Sequence, residues 1–293
     1  QDITDISGEI HYTNNLVVWK NLKGIFLNDQ YQVNGKLKDF SRPIVDLEVF
    51  SEKLNLSSQI KILHDAFQIP SLTAKYLNSS FDFKGDVHFF DTEDPEVDLR
   101  GNFSVDLHDL SALAAKWKEK LELFSLRGVL SGDGLLKGRL NDWRNWQLTF
   151  KARSPSLSLK DTAFDDVTIL FEQRDRHISR CSFVSKLYQG NFSMETAADL
   201  GDEQIPMTMT GSIEHLDLAK LRKERNIKNE YLAGDLSTSM NVSGPVLDLE
   251  QLKGEGSLSI TGGSLWQWRI LEGIWGALLI PEFKDVVFTE AQA

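Results

Sequence analysis

The chain has 293 residues, 41% hydrophobic and 26% charged, a balance that supports a core in one large or two ordinary domains and excludes a disordered chain. Its formal net charge of −11 opposes binding to a nucleic-acid backbone and broad docking on an anionic membrane. Cys181 is the one cysteine, so no intrachain disulfide forms, and within the stretch from Ser179 to Phe183 it reads as a small buried hydrophobe.

In chain order, period-two alternation dominates. Tyr31 and Val33 alternate with Gln32 and Asn34, and Val45, Leu47 and Val49 alternate with Asp46 and Glu48. Phe81 and Phe83, Val97 and Leu99, then Phe103 and Val105 repeat the pattern. A helical spacing follows over 110–121, with Leu110, Leu113, Ala114 and Trp117 on one side and Asp109 as N-cap. Alternation resumes at Trp146, Leu148 and Phe150, at Leu157 and Leu159, and at Met207 and Met209. A short basic helix is predicted over 218–225. Met240 and Val242, then Leu258 and Ile260, alternate again. A last amphipathic helix over 265–279 spaces Leu265, Trp268, Leu271, Trp275 and Leu278 by threes and fours, and Pro281 stops it.

Strict alternation gives a strand one apolar and one polar side, whereas buried parallel strands read as continuous apolar runs. The expected fold class is therefore mainly β, a long repetitive and mostly antiparallel sheet with a few short amphipathic helices. A repeat supports it: Gly35-Lys36-Leu37-Lys38-Asp39 recurs as Gly138-Arg139-Leu140-Asn141-Asp142 and, at nearly equal spacing, as Gly244-Pro245-Val246-Leu247-Asp248. Each copy reads as strand, glycine bulge, acidic turn and next strand. Two segments are expected, an N-terminal β-repeat segment over 1–108 and a C-terminal β-repeat region over 109–293, truncated at its end. The longest apolar stretch, 270–283, is interrupted by Glu272 and Pro281 and falls short of the roughly 20 residues a membrane span needs. With Gln1 at its start, the chain reads as a fragment whose membrane anchor lies outside it.

Catalytic motifs are missing from the sequence. The histidines His11, His64, His88, His108, His177 and His215 have no metal-site spacing, and there is no nucleophile elbow, P-loop or dinucleotide fingerprint. The acidic cluster Asp91, Glu93, Asp94, Glu96 and Asp98 has the composition for Ca²⁺ or for a carboxylate pair. Its spacing lacks the glycine of a Ca²⁺ loop, and it reads as a solvated hairpin turn. The expectation is a protein without cofactor, metal or enzymatic activity.

The segment Gly254-Glu255-Gly256-Ser257-Leu258-Ser259-Ile260-Thr261-Gly262-Gly263-Ser264-Leu265 is followed by the Trp- and Leu-rich helical stretch. Leu278-Leu279-Ile280-Pro281-Glu282-Phe283 and Val287-Phe288-Thr289-Glu290-Ala291 come next. This order resembles the C-terminal region of AsmA-like proteins, the group that includes TamB. Phe164-Asp165-Asp166-Val167 and Leu187-Tyr188-Gln189-Gly190-Asn191-Phe192 are similar to the family's strand phrases. The resemblance covers 102–293 and, more loosely, 1–101. It implies a sheet curled into an open groove with an apolar interior, lined by the alternating apolar residues named above from Tyr31 to Ile260. It further implies a periplasmic protein tethered to the inner membrane, linked to outer-membrane biogenesis, with phospholipid and envelope proteins as partners. The alternative is a repetitive β surface protein that binds carbohydrate or another protein.

Overall fold

The structure, a computed structural model, describes residues 3–26, 29–90, 92–109, 125–160, 162–228, 232–246, 248, 251–263 and 291–292. The strands are β1 (Thr4–Thr13), β2 (Leu16–Phe26), β3 (Asp29–Lys38), β4 (Ile44–Phe50), β5 (Leu54–Ile62), β6 (Ala66–Tyr76), β7 (Ser79–His88) and β8 (Glu96–Asp106). They continue as β9 (Arg127–Arg139), β10 (Gln147–Leu159), β11 (Thr162–Arg174), β12 (His177–Leu187), β13 (Gly190–Asp199), β14 (Pro206–Asp217), β15 (Asp235–Pro245) and β16 (Lys253–Thr261). These sixteen form one long antiparallel sheet that does not close into a barrel. A two-residue strand, β17 (Ala291–Gln292), adds in parallel beside Leu258 and Ser259. The expected basic helix is α1 (Leu218–Glu224). The helices expected over 110–121 and 265–279 lie outside the described residues. Among the described residues, no helix is long and apolar enough to cross a membrane.

Chain contacts group the residues into two compact units, Gln1–Leu113 with Leu130–Phe150, and Ala114–Val129 with Lys151–Ala293. The division therefore crosses β9 and β10, where the sequence reading divides the chain once, at residue 109.

In the first unit the strand register sorts the side chains. Leu37, Gly35 and Val33 of β3 stand beside Val17, Trp19 and Leu22 of β2 and beside Val45, Leu47 and Val49 of β4. The same side continues through Leu56 of β5 and Leu72 of β6 to Phe81 and Phe83 of β7. Val97, Leu99 and Phe103 of β8 extend it. The opposite side is polar and cross-linked by charge. Asp46 lies 3.4 Å from Lys36 and 3.0 Å from Lys38, and it accepts a 2.9 Å bond from Gln59. The Gln59 and Lys38 bonds hold its carboxyl at a pKa of about 2. Asp109, expected as a helix cap, is buried, and its carboxylate accepts 2.9 Å bonds from the Asn78 backbone N–H and the Ser79 hydroxyl.

The second unit repeats the arrangement. Ile169 of β11 pairs with Phe183 of β12, which pairs with Met194 of β13. Phe192 pairs with Ile213, and Met209 of β14 with Val242 of β15. Leu236 then pairs with Ile260 of β16. Helix α1 follows directly on β14. Its N-cap, Asp217, accepts bonds from the backbone of Ala219 at 2.8 Å and Lys220 at 3.1 Å, satisfying donors that the first turn leaves open. Arg222 and Lys223 sit in the last turn, where the helix dipole favours cations. The helix inserts Leu218 and Leu221, at most 1% exposed, beside an end of the sheet that also buries Leu187, Leu216 and Leu236.

Three strands are bent by the same device. Asn21, Asp166 and His215 take left-handed φ of 51°, 52° and 58°, the pairing register shifts there, and the next residue is aliphatic: Leu22, Val167, Leu216. The backbone N–H freed at Asn21 donates to Asn34 Oδ1 at 2.8 Å, and that of His215 donates to Ser237 Oγ at 3.1 Å. A glycine faces two of these bulges. A Cβ on Gly8 would stand 2.6 Å from Leu22 Cδ2, and one on Gly190 would stand 2.7 Å from the Leu216 nitrogen.

Candidate functional site

The strand register places the residues expected to line an apolar groove as follows. Tyr31, Val33, Val45, Leu47, Val49, Phe81, Phe83, Val97, Leu99 and Phe103 share one side of the first unit by register, and Val105 follows by alternation. Phe150 reaches Phe103, with ring centroids 6.3 Å apart, so Leu148 and Phe150 of β10 join that side. Trp146 packs beside Gly138 and donates its indole N–H to the Arg139 carbonyl at 2.6 Å. In the second unit Met207, Met209, Met240, Val242, Leu258 and Ile260 share the apolar side of β14 to β16. Leu157 and Leu159 share one side of β10 by alternation.

What separates the units is cover. Among the described apolar side chains of the first unit, only Ala66 and Val97 are buried. Ten of the eleven expected lining residues from Tyr31 to Val105 are half-buried, and only Val97 is buried. At β1 the same side carries Ile3, Ile6, Ile10 and Tyr12, which are 59%, 69%, 66% and 70% exposed. If a large side chain carries about 150–250 Å², these four alone leave roughly 400–650 Å² of apolar surface in water. That already matches the largest patch of a typical monomer, about 300–600 Å², and patches of that size mark interaction sites.

Alternation missed part of this surface. Trp19 and Leu22 of β2 are separated by the Asn21 bulge, which breaks the period of two. Ile6, Gly8, Ile10 and Tyr12 do alternate, but the glycine interrupts the apolar run.

Reactive chemistry is sparse. Among the described residues no group of three or more His, Cys, Asp or Glu is placed to hold a metal ion. Within the acidic cluster, Asp98 pairs with Lys137 at 3.1 Å and Asp94 with Arg139 at 3.7 Å, and Asp91 lies outside the described residues. His215 meets Asp235 at 3.1 Å, an exposed pair. Cys181 is half-buried rather than buried, and desolvation pushes its thiol pKa up, away from the thiolate. On the polar side of the first unit, Asn55, Thr73, Lys75, Ser80, Asp82 and Asn102 rim a broad depression of about 890 Å³ that is wide open to solvent. Nearby Phe81 and Phe103 belong to the apolar side.

Comparison with protein-family models, curated protein sequences and solved structures finds no match to this chain.

Proposed function

We propose that this protein is a non-enzymatic component of the bacterial envelope that carries phospholipid along its apolar sheet face, as its resemblance to AsmA-like proteins implies. In this reading it stands in the periplasm, tethered to the inner membrane, and serves outer-membrane biogenesis. The observation that carries it is the first unit's apolar side, assembled by register over eight strands, where only Ala66 and Val97 are buried among the described apolar side chains.

The physical need for such a face is large. Each methylene moved from hydrocarbon into water costs about 0.8 kcal/mol, so an acyl chain of about 15 methylenes costs about 12 kcal/mol to expose. A continuous apolar track replaces bilayer contacts with protein contacts and removes most of that barrier. Half-buried side chains suit the task, since they offer contact area without first displacing a packed partner. The headgroup stays in water, where the charged side of the sheet gives it no site to bind tightly.

The test is organic extraction of the purified protein followed by lipid mass spectrometry. Wild type is expected to carry phospholipid. Phe83→Glu, which places a charge in the middle of the track, is expected to fold and to lose at least nine-tenths of that lipid. A lipid-free wild-type protein, or a Phe83→Glu variant that keeps its lipid, defeats the reading. The polar depression at Asn55 and Asn102 favours the second reading, a β protein that binds carbohydrate or another protein through its polar side. An Asn55→Ala/Asn102→Ala variant that loses binding to a glycan array would select it.

A further inference from the structure

The second unit contains a hollow of a different kind. Phe164, Leu187, Phe192, Ile213 and Met240 line a small hollow of about 50 Å³ that opens to solvent, with Gly211 in its wall. Phe164, Phe183 and Phe192 brace one another edge-on or tilted, with centroids 5.5–5.8 Å apart, so the aromatic wall is fixed.

The chemistry of the lining selects the occupant. Two hydroxyl side chains of the apolar side border the hollow, Thr162 and Thr238; Ser212 and Ser239, also at its border, alternate to the other side of β14 and β15, and the protein engages all four hydroxyls. Thr162 Oγ1 accepts a 2.7 Å bond from Arg225 Nη2, and Thr238 Oγ1 donates to the Ser257 carbonyl at 2.8 Å. Ser212 bonds Ser193 at 2.8 Å and Ser239 bonds Ser257 at 2.7 Å, through their hydroxyls. A polar ligand entering here would have to compete for hydroxyls that already hold protein partners, whereas hydrocarbon has no water hydrogen bonds to lose. The arm of Arg225, the C-cap of α1, reaches over Thr162, and Leu218 and Leu221 of the helix are buried close by. Through the Arg225–Thr162 bond, the C-terminal end of α1 stands at one border of the hollow.

We infer that this hollow is a binding site for the terminal segment of one lipid acyl chain, with α1 as its stop. The inference rests on the lipid reading and adds a fixed station to it. The sheet supplies a natural probe of the site. Gly211 has ordinary strand φ, and a Cβ there would come within 3.0 Å only of the flexible Met240 methyl, so a larger side chain can fill the hollow without backbone strain.

The full chain is incubated with vesicles of phosphatidylethanolamine and phosphatidylglycerol containing trace phosphatidylcholine. That trace lipid bears a diazirine either on the last carbon of one acyl chain or next to the glycerol. After irradiation, crosslinked residues are mapped by mass spectrometry. The terminal diazirine is expected to label Phe192, Ile213 or Met240, and the glycerol-proximal one to leave them unlabelled. Gly211→Leu is expected to reduce the terminal label at these residues at least fivefold while labels at Leu47 and Phe83 persist. Labels confined to the first unit, equal labelling of the hollow by both probes, or labelling indifferent to a folded Gly211→Leu variant overturns the inference and leaves the lipid reading intact. No label anywhere overturns both. If Gly211→Leu does not fold, the contrast between the two probes in wild type decides alone.

Discussion

The two units are written in the same alternating code and end in different physical states. In the first, an apolar side chain such as Leu47 has sheet neighbours on its flanks and stays only half-buried. In the second, Leu187, Leu216 and Leu236 have the same strand neighbours and are almost fully buried. There a seven-residue helix and the chain that follows it bury Leu218, Leu221 and Leu232 as well. A sheet side becomes a core only where some other element covers it. Left bare, it becomes a surface that asks for a ligand or a partner.

The largest effect that sharpens this contrast is a pair of truncations. Leu221→Ala in the second unit is expected to cost about 2–5 kcal/mol, the range for emptying a packed site. Leu47→Ala in the first unit is expected to cost under about 1.5 kcal/mol, since its site is already half in water. Chemical denaturation of each variant checks the pair, and equal losses would break the comparison. Asp217→Ala comes next. Removing the carboxylate that accepts from Ala219 and Lys220 is expected to cost about 1 kcal/mol and to loosen α1 without affecting the first unit. Hydrogen exchange at Leu218–Glu224 reads it directly.

The smallest effect is electrostatic. Asp46 has its pKa lowered from 3.8 to about 2, chiefly by the bonds from Gln59 and Lys38. Its folded pKa lies below its unfolded one, so its contribution is present above pH 4 and is lost as pH falls through about 2. The side chain is 29% exposed, so water screens the network, and Asp46→Asn is expected to cost about 1 kcal/mol or less at neutral pH. The measurement is stability of wild type and variant between pH 6 and pH 2, in which the gap is expected to close at the acid end.

Much of the sheet was legible. The pairs Tyr31 and Val33, Phe81 and Phe83, and Met207 and Met209 alternate in sequence, and each pair shares a side in the structure. The repeated glycine followed by an acidic residue also marks strand ends: Gly35 lies in the last residues of β3 and Asp39 just past it, and Gly138 lies at the end of β9 with Asp142 in the turn beyond. The bulges were not legible. Asn21, Asp166 and His215 look like ordinary polar strand residues, and each shifts the phase of everything after it, which is why Trp19 and Leu22 escaped a period-two reading. The cover over the second unit was not legible either. Helix α1 was expected, but nothing in its own spacing says which side of which strands Leu218 and Leu221 will meet.

Alternation of side chains is a local property, because successive Cβ atoms leave a strand on opposite sides, and for this protein it was enough to specify one-faced antiparallel strands and most of the residues on the apolar face. Burial is not local. How far that face is buried depends on elements that arrive from elsewhere in the chain, and only the folded sheet, with Leu218 and Leu221 of α1 buried in the second unit and most described apolar side chains of the first left half-buried, decided it.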